Sequence, residues 1–291
     1  MLRFVKTVFA LLLLLCLASC NATDDSSQSR VVEGMIGIYY DTEELVTIQD
    51  CGKIVSLNAV ENATADLILP TDFPNGMKIN YVGEFAFLNN DVIVNVTVPD
   101  GYEYIGMGSF ACATELKTVY IGKDVHTIEE SAFMGCNSIE SITISDDNLF
   151  LYVDNNAIVT KEDKKLLFST NYIPNDITVI CASSLRENKT LGKVVVPKNV
   201  LVIEGYSFCD SALSAIELPN GVTKIGKHAF KNTQLKEIFI PISVVELEEA
   251  VFDEINGIVI NCEAESQPEG WDAKWLDGCT NYQLNWGVER D

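Results

Sequence analysis
The sequence predicts an α/β solenoid: small coils stacked in a row, each adding one strand to a parallel ladder and one turn or short helix to the opposite face. Three observations predict it. An aliphatic residue stands five positions before an aromatic in "YVGEFAF", "YIGMGSF", "TIEESAF", "VIEGYSF", "KIGKHAF" and "ELEEAVF", and "VICASSL" repeats the phrase with Leu185 in the aromatic's place. A second phrase, as in "LKTVYIG", "IESITIS" and "LKEIFIP", has apolar residues at its first, fourth and sixth positions. The anchors are evenly spaced: 23 residues from Val82 to Ile105 and on to Ile128, 23 from Ile180 to Ile203, then 22 to Ile225 and to Leu247. A unit this small cannot bury its own apolar edge, so it must stack on its neighbours.

Each element follows from these phrases. The step from anchor to aromatic has a helical-turn spacing, while the second phrase alternates with period two, as a half-buried strand requires. Pro99, Pro197, Pro219 and Pro241 follow the strand directly and end it by removing a ladder donor. About seven repeats of 22–23 residues thereby fill residues 70–262. Two stretches depart from the pattern. Ile128 to Ile180 is 52 residues, and its apolar runs joined by polar turns predict a β-hairpin insertion at about 146–172. Residues 31–69, with "IGIYYDTEELVTIQD" and "KIVSLNA", read as strands without the aromatic phrase and are assigned to an N-terminal β cap.

The pattern I-G-x-x-A-F-x-x-C-x-x-L-x-x-I-x-I-P resembles the BspA-like leucine-rich-repeat family of surface proteins. Residues 225–241, "IGKHAFKNTQLKEIFIP", match it closely, with one residue deleted and Asn232-Thr233 where the family often has a Cys. The resemblance implies a leucine-rich-repeat solenoid. It also implies that residues 263–291 form a C-terminal cap in which Trp271, Trp275 and Trp286 cover the last coil.

Residues 1–19 read as an address. Arg3 and Lys6 precede an apolar run, Val8 to Leu17, too short to span a bilayer, and "LASC" at 17–20 resembles the bacterial lipobox. Cys20 is then expected to carry the lipid anchor. Residues 20–30 read as a flexible polar tether, and Asp24 and Asp25 resemble the acidic signal that sends some lipoproteins to the cell surface. These features predict an extracytoplasmic protein, lipid-anchored to the bacterial outer membrane or envelope, whose only membrane contact is the lipid. With 42 acidic against 20 basic residues and a net charge of −22, the chain repels phosphates, which excludes nucleic acid as a partner. Cys112, Cys136, Cys181 and Cys209 are expected as small buried side chains within repeats. A bridge between Cys262 and Cys279 is left open.

Catalytic constellations are missing. The chain has two histidines, His126 and His228, and neither lies in a triad or metal motif; His228 is expected at the surface. No phosphate loop, nucleophile elbow or zinc spacing is present, so no cofactor, metal or catalytic residue is assigned. "DDNLFLYVDNN", residues 146–156, does not have the spacing of a calcium loop and reads as a solvated turn.

A surface is the better candidate. The outward residues of the strands, Thr97, Tyr120, Thr143, Val195, Glu217 and Phe239, with Asn95, Thr118, Ser141, Lys193, Ala215 and Glu237 two positions earlier, should tile the open sheet. Within this face Thr97, Tyr120, Thr143, Lys193, Glu217 and Phe239 are the candidate binding residues. The resemblance implies a non-enzymatic adhesin for host matrix proteins or other cells, and the chain is expected to be monomeric. One alternative is an envelope protein binding glycans or peptides in an uptake assembly. Another is an enzyme with its site at the insert, using Asp147, Asp154 and Asp163.

Overall fold
A computed structural model describes residues 65–72 and 78–290, together with the strands Ser29–Val31, Ile38–Asp41, Val46–Gln49 and Lys53–Leu57. The leader, Cys20, Asp24 and Asp25 lie outside the described residues. Ser29 and Arg30, the end of the expected tether, belong to a strand.

The chain winds as a β-solenoid of about nine turns, and the regular coils contribute to two parallel ladders. The anchor ladder consists of two-residue strands: Tyr81–Val82, Tyr104–Ile105 and Thr127–Ile128, then Val179–Ile180, Val202–Ile203, Lys224–Ile225 and Glu246–Leu247. The face ladder consists of the second phrase: Asp66–Ile68, Asn95–Val98, Thr118–Ile121 and Ser141–Ile144, then Lys193–Val195 with Ala215–Glu217, then Glu237–Ile240, Val259–Cys262 and Gln283–Trp286. Two coils therefore extend the pile beyond the repeats counted from the aromatic phrase. At the N-terminal end the four early strands form an antiparallel meander, and its last strand pairs in parallel with Tyr81–Val82.

The third side of each coil holds the aromatic, and it is a turn. No helix occurs among the described residues. The cause is backbone geometry: the third and seventh residues after the anchor lie in the left-handed region, as in Phe85 and Asn89, Ser131 and Gly135, Tyr206 and Asp210, and His228 and Asn232. A helix cannot pass through such residues. The turns satisfy their amides in two directions. Ala86 and Leu88 donate back to Gly83 and Phe85 within the coil, while Phe87 N donates to Ser109 O at 2.6 Å, and Phe110, Phe208 and Phe230 repeat that bond to Ala132, Ala229 and Val251 of the following coils. The aromatic side is thus a third ladder made of turns.

Inside, the anchors and aromatics are buried, and the rings stack along the pile. Centroids are 5.0 Å apart for Phe87 and Phe110, 5.4 Å for Phe110 and Phe133, 5.6 Å for Phe208 and Phe230, and 5.7 Å for Phe230 and Phe252. Trp275 meets Phe252 edge-on at 6.0 Å and ends the column, and Trp271 Nε1 donates to Val244 O. The residue before each aromatic is small and buried. At Ser109, Ser184 and Ser207 it carries a hydroxyl that has no hydrogen-bond partner. A buried unpaired hydroxyl costs about 1–3 kcal/mol, so Ser207→Ala should stabilise the fold, read as a higher urea midpoint at unchanged slope.

The residue after the anchor solves a recurring problem, the amide at the second position after the anchor in the preceding coil. Where it is Glu, its carboxylate accepts that amide: Glu129 from Met107 N at 2.9 Å, Glu204 from Ala182 N at 2.9 Å and Glu248 from Lys227 N at 2.8 Å. Where it is Gly, the coils close up instead. A Cβ at Gly226 would lie 2.4 Å from Gly205 N.

The expected insertion is part of the pile. Leu151–Asp154 and Ala157–Thr160 form the antiparallel hairpin through Asn155 and Asn156, both left-handed, as a tight primed turn requires. Lys165–Ser169 then adds to it and pairs in parallel with Val179–Ile180, so the anchor ladder resumes. Leu151 stands at the anchor interval, 23 residues after Ile128, while Leu166 is the residue that pairs with the anchor Ile180. Phe168 reaches the aromatic column, 5.6 Å from Phe133. This coil adds no strand to the face ladder, which breaks between Ser141–Ile144 and Lys193–Val195. Its sheet is also a wall: Ala157, Val159 and Leu166 join the core of the second half, while Leu151, Ile158 and Phe168 join that of the first.

Candidate binding face
The face ladder places the predicted columns in register. Thr97 lies beside Tyr120 and Tyr120 beside Thr143, with Asn95, Thr118 and Ser141 in the parallel column. Ile68 extends the first column to the edge strand. Tyr120 is 39% exposed and Thr143 is exposed, whereas Thr97 is half-buried. In the second half Val195 is 60% exposed.

In both halves of the face the polar side chains serve one another. Asn95 donates to Asp66 and accepts from Thr118. Further along, Asn261 Nδ2 donates to Glu237 at 2.8 Å and Asn285 Nδ2 to Asn261 at 2.7 Å. Lys193 and Glu217 form an ion pair, and that hydrogen bond holds the Glu217 carboxyl below its ordinary pKa. Phe239 is not an open aromatic: it is half-buried with the Arg290 guanidinium 5.0 Å over its ring. Arg290 also donates to Asn220 Oδ1 and Leu218 O, which pins the C-terminal residues across this part of the sheet.

Reactive groups are not brought together. Among the described residues no three His, Cys, Asp or Glu side chains are grouped to hold a metal. Asp163 is bound to Lys165 and Thr160, an arrangement that keeps its pKa low, and Asp176 accepts from Tyr152 OH at 2.7 Å. His228, expected at the surface, is tucked in with 15% of its side chain exposed, and this burial lowers its pKa. The described cysteines are all free, Cys262 and Cys279 included. Burial pushes Cys136, Cys181, Cys209 and Cys262 up to about 12 and Cys112 and Cys279 up to about 11, so all six stay protonated at neutral pH and are poor nucleophiles.

The stretch 146–156 has a structural use that composition hid. Asn148 is fully buried; it donates to Gly122 O at 3.0 Å and Val125 O at 2.9 Å and accepts from Phe150 N and Leu151 N at 2.8 Å. Asn156 takes the place of a missing strand, accepting from Ile142 N and donating to Glu140 O. Asn137 ties the two halves together, donating to Glu187 O and accepting from Lys189 N. Asn148→Ala would take this partner from four backbone groups, of which the Phe150 amide alone is part-buried, and should cost about 3 kcal/mol in urea unfolding. The signal available in the sequence was the interval from Ile128 to Leu151, equal to the preceding two.

Parallel ladders, a column of stacked aromatics and an outward strand face define a leucine-rich-repeat solenoid. The family model described as the BspA type leucine rich repeat region, of six copies, matches residues 68–162 and 163–268, and the chain belongs to that family. Among solved structures it is similar to a leucine rich cell surface protein from Faecalibacterium prausnitzii A2-165, at 16% identity over 92% of this chain and 97% of that one, with a TM-score of 0.49. It is similar to the pneumococcal vaccine antigen PcpA, at 13% identity over 92% and 100% of the two chains, with a TM-score of 0.45. It is also similar to a leucine-rich repeat protein from Bacteroides ovatus ATCC 8483, at 18% identity over 91% and 72%, with a TM-score of 0.43. No curated protein matches the chain.

Proposed function
We propose that this chain is a non-enzymatic binding protein of the bacterial cell surface, held by a lipid on Cys20, that adheres as a monomer to host matrix proteins or to other cells. Membership of the repeat family supports the class, and the leader-like residues 1–19 support the location. The observation that carries the binding reading is the face ladder, where Thr97, Tyr120 and Thr143 stand side by side around an exposed ring. Exposed aromatics of this kind anchor protein interfaces. Lys193, Glu217 and Phe239 lie on the same side but are engaged within the chain, so Tyr120 is assigned the leading role.

The test is an array of matrix proteins probed with the wild-type protein and with Tyr120→Ala. Adhesion should be seen and should weaken by about tenfold or more in the variant, the loss expected for a central aromatic anchor. An array signal unchanged by the substitution would remove the sheet face from the proposal. No signal on any matrix protein would remove the matrix ligand.

A further inference from the structure
A second surface lies on the anchor ladder, away from the face just described. Tyr81 and Tyr104 occupy neighbouring outward positions and their rings stack at 5.6 Å. The ring of His126 meets Tyr104 edge-on at 4.7 Å, and Phe150 meets His126 at 5.4 Å. Four rings thus form one stripe along three repeats and into the wall coil. Its rings are partly exposed, and at the wall end Phe150 is 45% and Leu149 77% exposed. After the wall the equivalent positions are Val179, Val202, Lys224 and Glu246, so the aromatic character is confined to the first half.

Carboxylates border the stripe. Glu103, about half exposed, has an oxygen 4.0 Å from His126 Nε2. Glu129 lies against the other side, accepting from Tyr81 OH at 3.4 Å and Met107 N at 2.9 Å. Glu84, Glu130, Asp146 and Asp147 add exposed negative charge on the same coils. Of the nearby lysines, Lys123 is paired with Asp100, while Lys161 donates to the uncharged Asn148 O and keeps its charge, one cation against six carboxylates. Lys53 lies beside Tyr81 by strand register.

We propose that this stripe is a docking site for an extended, arginine- or lysine-rich segment of a partner protein. Basic side chains suit it in both parts: their aliphatic stems lie along rings and apolar side chains, while their charged heads reach the flanking carboxylates. The net charge of −22 adds long-range attraction for such a segment. The proposal rests on reading the chain as a binding protein, but it uses residues separate from the sheet face.

The experiment measures fluorescence anisotropy of a labelled peptide of alternating glycine and arginine on the full-length protein, at physiological ionic strength. A glycine–glutamate peptide and a neutral chitin oligosaccharide are run alongside. Phe150→Ala, Leu149→Ser and Glu103→Gln are compared with Tyr120→Ala, and thermal melting confirms that each variant is folded. The arginine peptide should bind, and Phe150→Ala should weaken it roughly tenfold, as loss of an aromatic anchor does. Glu103→Gln should weaken it too, and Tyr120→Ala should leave it unchanged. Should Phe150→Ala fail to fold, Leu149→Ser at the exposed end of the stripe carries the same expectation. Equal binding by the stripe variants would show attraction by net charge alone and overturn the site. Absence of binding by the wild type, or binding of the oligosaccharide in place of the peptide, would overturn the partner. Because Tyr120→Ala reports on the sheet face independently, either surface can fail without the other.

Discussion

Phe230→Ala is expected to destabilise the protein by about 3–5 kcal/mol, the range for emptying a fully buried aromatic site. Phe230 is inaccessible to solvent and lies between Phe208 and Phe252, so no exposed chain can move in to refill the space. Its backbone also carries the turn ladder, donating to Val251 O, so collapse around the vacancy would strain hydrogen bonds on both sides. Phe230→Leu should cost much less, because the column already accepts Leu185 at an equivalent place with 1% exposure. Urea unfolding of the two variants reads the difference directly. Equal, small losses would mean that the column is loosely filled and that stacking is not what holds the coils together.

Gly226→Ala is expected to be nearly as damaging, at about 3 kcal/mol, although it adds one methyl group. The added carbon would lie 2.4 Å from Gly205 N and 2.7 Å from the carbonyl carbon of Glu204, and both are backbone atoms that cannot rotate away. The coils would have to separate there, breaking ladder bonds such as Gly226 N to Ile203 O. Gly192→Ala is the control, since a Cβ there meets nothing within 4 Å. That variant should be neutral or slightly more stable through the reduced entropy of the unfolded chain. If both glycine variants unfold at the wild-type midpoint, the close approach of coils is not a constraint on the repeat.

Much of this architecture was legible because its two signals are periodic. Ile203, Phe208, Leu213 and Ile216 recur in equivalent places in each coil, and one coil's burial pattern predicts the next. The aromatic turn was harder. Anchor-to-aromatic spacing suits a helix, and only the left-handed positions forbid one. Asn89, Gly135, Asp210 and Asn232 are the residue types that tolerate this conformation, but Phe85, Tyr206 and Ala250 at the partner position are not, so the signal is diluted. The wall coil was hidden for a different reason. Leu151 keeps the anchor interval, but its amide and that of Phe150 donate to Asn148 Oδ1 in place of the usual ladder start, and a lone Asn has no periodicity to reveal it.

The binding face was legible as a list of outward residues and not as a set of free ones. Alternation told which way Lys193, Glu217 and Phe239 point. It could not show that the first two neutralise each other or that the third lies beneath Arg290, a residue 51 positions further along the chain. The stripe from Tyr81 to Phe150 was missed because its rings come from two adjacent columns and its last member belongs to the irregular coil.

The partition at Ala157 to Phe168 bears on how the molecule comes apart. A row of stacked units frays from its ends, and each unit depends mainly on those it touches. A bulkhead that presents one oily side to each compartment seals either compartment when the other is breached. Damage at one terminus is thereby confined to its own block, and the remaining block keeps a closed interior in which the rest of the row stays upright.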